Sequence, residues 1–160
     1  DQMGRLARQG VDVIFHNTLS ASEYGLIDDA TLTPRPNYWA ALLWRRLMGT
    51  GVLDTGQIEP SFHVYAHCML DHPGGVTLLA INLGDTPRQI ATPVGAELYM
   101  LSASELQSTE VNLNGRKLVL GAHDQLPSLR PRRARAGDVI LAPHNIGFIA
   151  LPGASNARCT

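Results

Sequence analysis

The first fifty residues carry helix-like and strand-like hydrophobic patterns in succession. Residues 1–9 place Met3 and Leu6 on one face of a helix, and Gly10 suits the position just beyond its end. The β-branched run at residues 11–16 predicts a short buried strand. Because a helix, a glycine and a buried strand in this order are typical of a parallel α/β fold, we expect an α/β region here.

The strongest helical pattern covers residues 37–48. Pro36 and Asn37 suit its start, and Gly49 and Gly51 mark its end. We interpret its apolar stripe as core packing. The stripe consists of Tyr38, Trp39, Leu42, Leu43 and Leu47.

After residue 51 the pattern changes to short β-rich runs separated by Gly, Pro, Asn and Asp. No helix is predicted there, and Asn114-Gly115 has the residues of a type I′ hairpin turn. Many short strands at this spacing predict an antiparallel β-sandwich. The chain therefore divides into residues 1–51, which are α/β, and residues 52–160, which are all-β. The candidate strands are 52–54, 62–70, 76–83, 88–92, 97–102, 109–113, 117–120, 138–142 and 146–151.

Composition narrows the class of protein. The chain has 160 residues, of which 44% are hydrophobic and 17% charged, and its formal net charge is −1. These values argue against global disorder and against a dedicated nucleic-acid binder. No apolar run is long enough for a membrane span, and the first residues do not resemble a signal peptide. Twelve arginines against one lysine indicate the codon bias of a GC-rich bacterium.

Candidate catalytic and metal-binding residues are sparse. Six histidines show no metal-binding spacing, so neither a metal site nor a cofactor is expected. His16 ends the first predicted strand, where α/β folds place ligand contacts, and a structural role is the other interpretation. Glu23, in the small polar loop at residues 17–24, is the only suggestively placed acid, whereas glycoside hydrolysis requires two.

Two further groups of residues allow two interpretations each. Cys68 and Cys159 are either free thiols or a disulfide that pins the last residues to a strand and implies an oxidising compartment. A run of four arginines is either a solvated loop or a patch for an acidic polymer such as a sulfated polysaccharide, since guanidinium groups pair well with sulfate and carboxylate. This run consists of Arg130, Arg132, Arg133 and Arg135.

Several segments, taken in order, resemble the C-terminal part of the heparanases of glycoside hydrolase family 79. In that family a (β/α)8 barrel carries catalysis and a β-sandwich packs beside it. A whole barrel needs roughly 200–250 residues, so this chain can hold only a part. The resemblance implies the C-terminal remnant of such a barrel, its last strand and helix, followed by an antiparallel β-sandwich. The segments are residues 11–15, 22–28, 36–39, 64–68, 79–83 and 111–115, with Cys159.

The resemblance also implies where the chemistry lies. The two catalytic glutamates of the family would lie before Asp1, so no catalytic residue is expected here and a larger N-terminal chain is the expected partner. The family binds the carboxylate of glucuronic acid through a tyrosine hydroxyl and a backbone N–H, at positions that match Tyr24 and Ser22. His16 matches a glutamine of the family and is the third substrate-binding residue that the resemblance implies, since it can donate to a sugar hydroxyl or carboxylate. Glu23 replaces an asparagine, which leaves its role open.

The implied function is that of a retaining endo-β-D-glucuronidase that hydrolyses heparan sulfate, secreted or periplasmic, with a Cys68–Cys159 disulfide. The alternatives are an exo-β-glucuronidase of the same family, a catalytically inactive relative, and a non-catalytic carbohydrate-binding or structural β-sandwich module. The last alternative needs a self-sufficient fold, whereas a buried parallel strand at residues 11–16 needs neighbours on both sides.

Overall fold

The computed structural model describes residues 1–56 and 59–160. In this part of the chain two helices, α1 (Gln2–Arg8) and α2 (Pro36–Leu47), precede ten strands, and a single 3-10 turn spans Ala122–Asp124. The strands are β1 (Met48–Leu53), β2 (Phe62–Met69), β3 (Val76–Asn82), β4 (Arg88–Thr92), β5 (Ala96–Ser102), β6 (Asn112–Leu113), β7 (Arg116–Lys117), β8 (Arg132–Ala134), β9 (Gly137–Leu141) and β10 (Ile146–Leu151).

Every strand pair in the described residues is antiparallel. The larger sheet follows the order β1-β2-β3-β10-β5-β6-β7, and β8 pairs with β5 as well. β4 and β9 form a separate two-stranded ribbon. The protein is therefore mostly antiparallel β-structure with few helices, which confirms the all-β interpretation of the longer part of the sequence.

Both faces of the larger sheet are covered. Successive side chains of a strand point to opposite faces, and β10 buries both of its faces. Phe148 packs with Trp39 of α2 on one face. Ile149 packs with Leu98 of β5 and Val139 of the ribbon on the other. The continuous apolar run of β10 follows from this central position, because a strand covered on both sides has no solvent-facing positions.

A disulfide joins the sheet to the end of the chain. Cys68, near the end of β2, is bonded to Cys159, with their Cα atoms 5.1 Å apart across 91 residues of sequence. Beside it, the N–H of Gly74 donates to the Cys159 carbonyl. In the chain-entropy treatment, closing a loop of this length stabilises the folded state by about 4 kcal/mol. Of the two interpretations of the cysteines, the structure contains the disulfide.

Most sequence-based elements are found, with shifted ends. Both helices and the hairpin are confirmed, and the turn residues Asn114 and Gly115 have φ values of 50° and 81°. β1 begins at Met48, so residue 51, the predicted division, lies inside a strand. The strands predicted at 109–113 and 117–120 shrink to β6 and β7, because only residues next to the turn pair with one another.

The strand predicted at residues 11–16 is absent. These residues form no pair with any described strand and all of them are exposed, Phe15 by 89% and Val13 by 62%. A strand is stabilised by the N–H and C=O groups of its neighbours. Without such a neighbour the apolar side chains of this segment remain in solvent. The prediction is therefore wrong for the chain as described.

Candidate functional site

The polar loop before α2, residues 17–35, is closed by its own backbone. The N–H of Ile27 donates to the Leu19 carbonyl at 3.0 Å. Gly25 lies so close to that carbonyl that a Cβ there would be 3.0 Å from its oxygen. A glycine at this position therefore allows the loop to fold back on itself.

Asp28 and Arg35 hold the polar loop together. The Asp28 carboxylate accepts from the N–H of Ala30 at 3.1 Å, from the N–H and hydroxyl of Thr31 at 2.9 Å each, and from Arg35 at 3.0 Å. The bonds from Thr31, and then the one from Arg35, lower the pKa of Asp28. Arg35 also donates to the carbonyl of Glu23. One guanidinium group thus links Glu23 and Asp28, in the middle of the loop, to the start of α2.

Tyr24 presents its side chain to solvent with 57% of its surface exposed. Its hydroxyl oxygen accepts from the Asn17 amide at 3.2 Å. Its carbonyl accepts from the Asn37 amide at 3.0 Å and from His16 Nε2 at 3.1 Å. Because Asn17 donates to the phenol oxygen, the hydroxyl hydrogen is left to donate to an external acceptor such as a carboxylate.

The structure brings His16 against Tyr24, with ring centroids 6.0 Å apart in an edge-to-face arrangement. A carbonyl only accepts, so His16 Nε2 carries the hydrogen of its bond to Tyr24, and Nδ1 of a neutral imidazole is left as an acceptor. Ser22 lies in the same loop, and its N–H donates to the Ser20 carbonyl at 2.7 Å. The Ser22 hydroxyl is buried without a hydrogen-bond partner among the described residues.

Sequence reasoning missed the residues that position Tyr24. Asn37 was expected only to start a helix, whereas Arg35 is the N-cap of α2 and Pro36 occupies its first turn. The Asn37 amide instead donates to the carbonyls of Tyr24 and Gly25, at 3.0 and 3.3 Å. A polar side chain next to a proline that already starts the helix is free for other bonds, and this signal could have identified it.

A cavity of about 900 Å³ lies away from the polar loop, between α1, residues 10–14 and β1. His67 lines it and is itself buried. Its Nδ1 donates to the Gly49 carbonyl at 2.7 Å, and its Nε2 has no partner among the described residues. Burial lowers the pKa of His67. Arg8, also in the lining, is paired with Asp54. The cavity therefore holds one buried, unpartnered nitrogen, His67 Nε2, beside the Arg8–Asp54 pair.

Comparison with known proteins identifies homologues of this chain. The homologues of this chain are heparanases, heparanase-like proteins and β-glucuronidases, at about 30% identity over nearly the whole chain. This result confirms the resemblance to heparanase-like glycosidases.

Three relatives illustrate the match. The chain is 32% identical to inactive heparanase-2 of Mus musculus, over 98% of this chain and 31% of that protein. It is 32% identical to heparanase of Gallus gallus, over 99% and 34%. It is 33% identical to baicalin-β-D-glucuronidase of Scutellaria baicalensis, over 96% and 31%. The chain thus spans about a third of the length of the curated relatives it matches.

Protein-family profiles and solved structures give no further support for a family. No protein-family profile matches the chain. The solved structure of Xyn30A, a glycoside hydrolase family 30 subfamily 8 xylanase from Clostridium acetobutylicum, matches 82% of this chain and 32% of that chain. Its TM-score of 0.48 and identity of 15% are too low to support any conclusion. Neither described helix has the length and hydropathy of a membrane-spanning helix.

Proposed function

We propose that this chain is the C-terminal segment of a secreted or periplasmic, heparanase-like retaining endo-β-D-glucuronidase of glycoside hydrolase family 79 that hydrolyses heparan sulfate. The observation that carries the proposal is the similarity to chicken heparanase over 99% of the chain. Residues 1–51 complete a catalytic (β/α)8 barrel and residues 52–160 form its β-sandwich. The catalytic glutamates lie on a larger N-terminal part. The Cys68–Cys159 disulfide supports an oxidising compartment.

In this proposal the polar loop recognises the glucuronate carboxylate. The Tyr24 hydroxyl and the Ser22 N–H donate to it, and His16 holds the Tyr24 backbone in place. The free hydroxyl hydrogen of Tyr24, left by the bond from Asn17, supports this role. Binding through Ser22 exchanges its N–H bond to the Ser20 carbonyl for a stronger, charge-assisted bond to the ligand.

The test is Tyr24→Phe in the full-length protein. Losing one hydrogen bond to a charged group should lower kcat/KM on an aryl β-glucuronide. The expected loss of transition-state stabilisation is about 1–3 kcal/mol. Activity on the matched aryl β-glucoside, which lacks the carboxylate, should not change. Tyr38→Phe is the control, because Tyr38 packs with α2 against the core. An equal loss on both substrates, or unchanged kinetics on the glucuronide, contradicts the proposed role of Tyr24.

Two alternatives have specific support. The match to baicalin-β-D-glucuronidase favours an exo-acting β-glucuronidase, and the match to inactive heparanase-2 favours a protein without activity. Product analysis separates the first from the endo-enzyme, because an exo-enzyme releases one terminal sugar at a time. A full-length protein that binds but never cleaves glucuronides identifies the inactive relative. A folded, inactive 52–160 fragment that binds carbohydrate favours the non-catalytic module.

A further inference from the structure

An arginine-rich segment lies along one edge of the larger sheet. β8 pairs with β5 on one side, and no described strand pairs with its other side. Across this pair Leu98 is opposite Arg132 and Glu97 is opposite Arg133, so the two arginines point to opposite faces. Four exposed arginines, which we call the arginine edge, follow this line. They are Arg130, Arg132, Arg133 and Arg135.

Asn114 fixes the start of this segment. Its side-chain amide donates to the carbonyls of Leu98 at 2.9 Å and Arg130 at 3.2 Å. The Arg130 guanidinium also donates to the Ser128 hydroxyl at 3.1 Å. Arg130 is thus tied to β5 and is not part of a free loop. β8 covers Arg132–Ala134, and Arg130 and Arg135 lie within two residues of its ends, so the four arginines form a row along this strand.

The charge of this row is mostly uncompensated. Arg133, with 87% of its side chain exposed, lies 3.8 Å from Glu97, and this is the only ion pair of the arginine edge within the described residues. Of the eight arginines elsewhere in the chain, four have carboxylate partners among the described residues. These are Arg5, Arg8, Arg35 and Arg88. A row of unpaired guanidinium groups is complementary to a linear partner that carries regularly spaced anions.

We propose that the arginine edge binds a linear sulfated polysaccharide at a surface separate from the polar loop. Planar guanidinium groups make paired hydrogen bonds with sulfate, and their placement on both sides of an extended strand suits a chain that runs along it. The formal net charge of −1 and the disulfide argue against a nucleic acid as the natural polyanion.

Charged residues on an edge strand also discourage pairing with a second protein chain. That effect requires charge alone, so lysine serves as well as arginine. Polysaccharide binding also requires the two parallel donors of guanidinium, which lysine lacks. Arginine-to-lysine variants therefore separate the two roles.

The experiment measures binding of a fluorescent heparin decasaccharide to the full-length protein over a range of salt concentrations. Arg132→Gln/Arg135→Gln should weaken binding roughly tenfold, from the loss of two exposed, salt-screened ion pairs, and should make the salt dependence of binding shallower. The matched control is Arg5→Gln/Arg158→Gln. These two exposed arginines lie near β2, three strands from β5 in the sheet, so the control should bind like the wild type.

Arg132→Lys/Arg135→Lys keeps the edge charged and should weaken binding roughly threefold. If the glutamine variant self-associates, this lysine variant provides the test of polysaccharide binding. The proposal is overturned if the edge and control variants lose the same affinity for the decasaccharide, or if the edge variants lose none. Equal affinity of the wild type for a DNA oligonucleotide of the same charge also overturns it. Desulfated heparin should bind much more weakly, and equal binding contradicts the choice of sulfate. Cleavage of the aryl β-glucuronide by Arg132→Gln/Arg135→Gln should match the wild type, because neither arginine belongs to the polar loop, so the two proposals succeed or fail separately.

Discussion

At the scale of single residues, His67 couples stability to pH. Burial lowers its pKa below the ordinary value of 6.5, so the folded protein favours the neutral ring. Below that value the unfolded chain binds the proton more readily than the folded chain does. The folded state therefore keeps its full stability with respect to His67 above pH 6.5. As pH falls below 6.5, the free energy of unfolding decreases by up to about 1.4 kcal/mol per pH unit.

The prediction is that His67→Gln reduces the loss of stability on acidification. The glutamine amide retains a donor for the Gly49 carbonyl but does not titrate. Urea unfolding at about pH 7.5 and about pH 5.5 should show a smaller decrease in unfolding free energy for the variant than for the wild type. His72→Gln removes an exposed imidazole and should behave like the wild type. Parallel pH profiles for wild type and His67→Gln argue against this coupling.

At the scale of elements, Asn114 links the β6–β7 hairpin to β5. Its backbone has φ 50°, its side-chain oxygen accepts from the Met100 N–H at 3.0 Å, and its amide donates to the Leu98 carbonyl at 2.9 Å. Asn114→Gly permits the same φ but leaves the Met100 N–H without this acceptor. The expected loss is about 1–3 kcal/mol of unfolding free energy, measured by urea denaturation.

Gly115→Ala is the companion variant, because it strains the same turn and leaves these side-chain bonds in place. Gly115 has φ 81° and open space around it, so alanine should cost roughly 1 kcal/mol from backbone strain alone. A larger loss for Gly115→Ala than for Asn114→Gly would mean that turn conformation, and not the side-chain link, stabilises the hairpin.

At the scale of the whole molecule, we propose that the exposed apolar segment 11–16 is a strand of the barrel that the full-length protein would complete. Val13 and Phe15 are exposed by 62% and 89%, as expected for a strand without its neighbours. Hydrogen–deuterium exchange should show fast exchange of the 11–16 amides in this chain alone and strong protection in the full-length protein. β10 should be protected in both. Fast exchange of residues 11–16 in the full-length protein contradicts their assignment to a barrel strand.

The sequence alone was sufficient for elements whose signals are local. The apolar stripe of α2 and the positive-φ pair Asn114-Gly115 each depend on a few adjacent residues, and both elements were found. Residues 17–24, the first part of the polar loop, were predicted as a loop, and the structure places Tyr24 of this loop beside His16. The proline before Asn37 signals that the Asn37 side chain is free to form other bonds, but local sequence does not identify its partner, because the bond joins a helix start to a loop carbonyl thirteen residues earlier.

Tertiary structure decided what depends on neighbours distant in sequence. Residues 146–151 and residues 11–16 are both short apolar runs. The first became the central strand β10, because β3 and β5 pair with it on either side, whereas residues 11–16 pair with no described strand. The pairing of Cys68 with Cys159, left open by their spacing, required the end of the chain to return to β2. Local patterns thus determined which segments can form helices and strands, whereas backbone partners and burial determined which of them did.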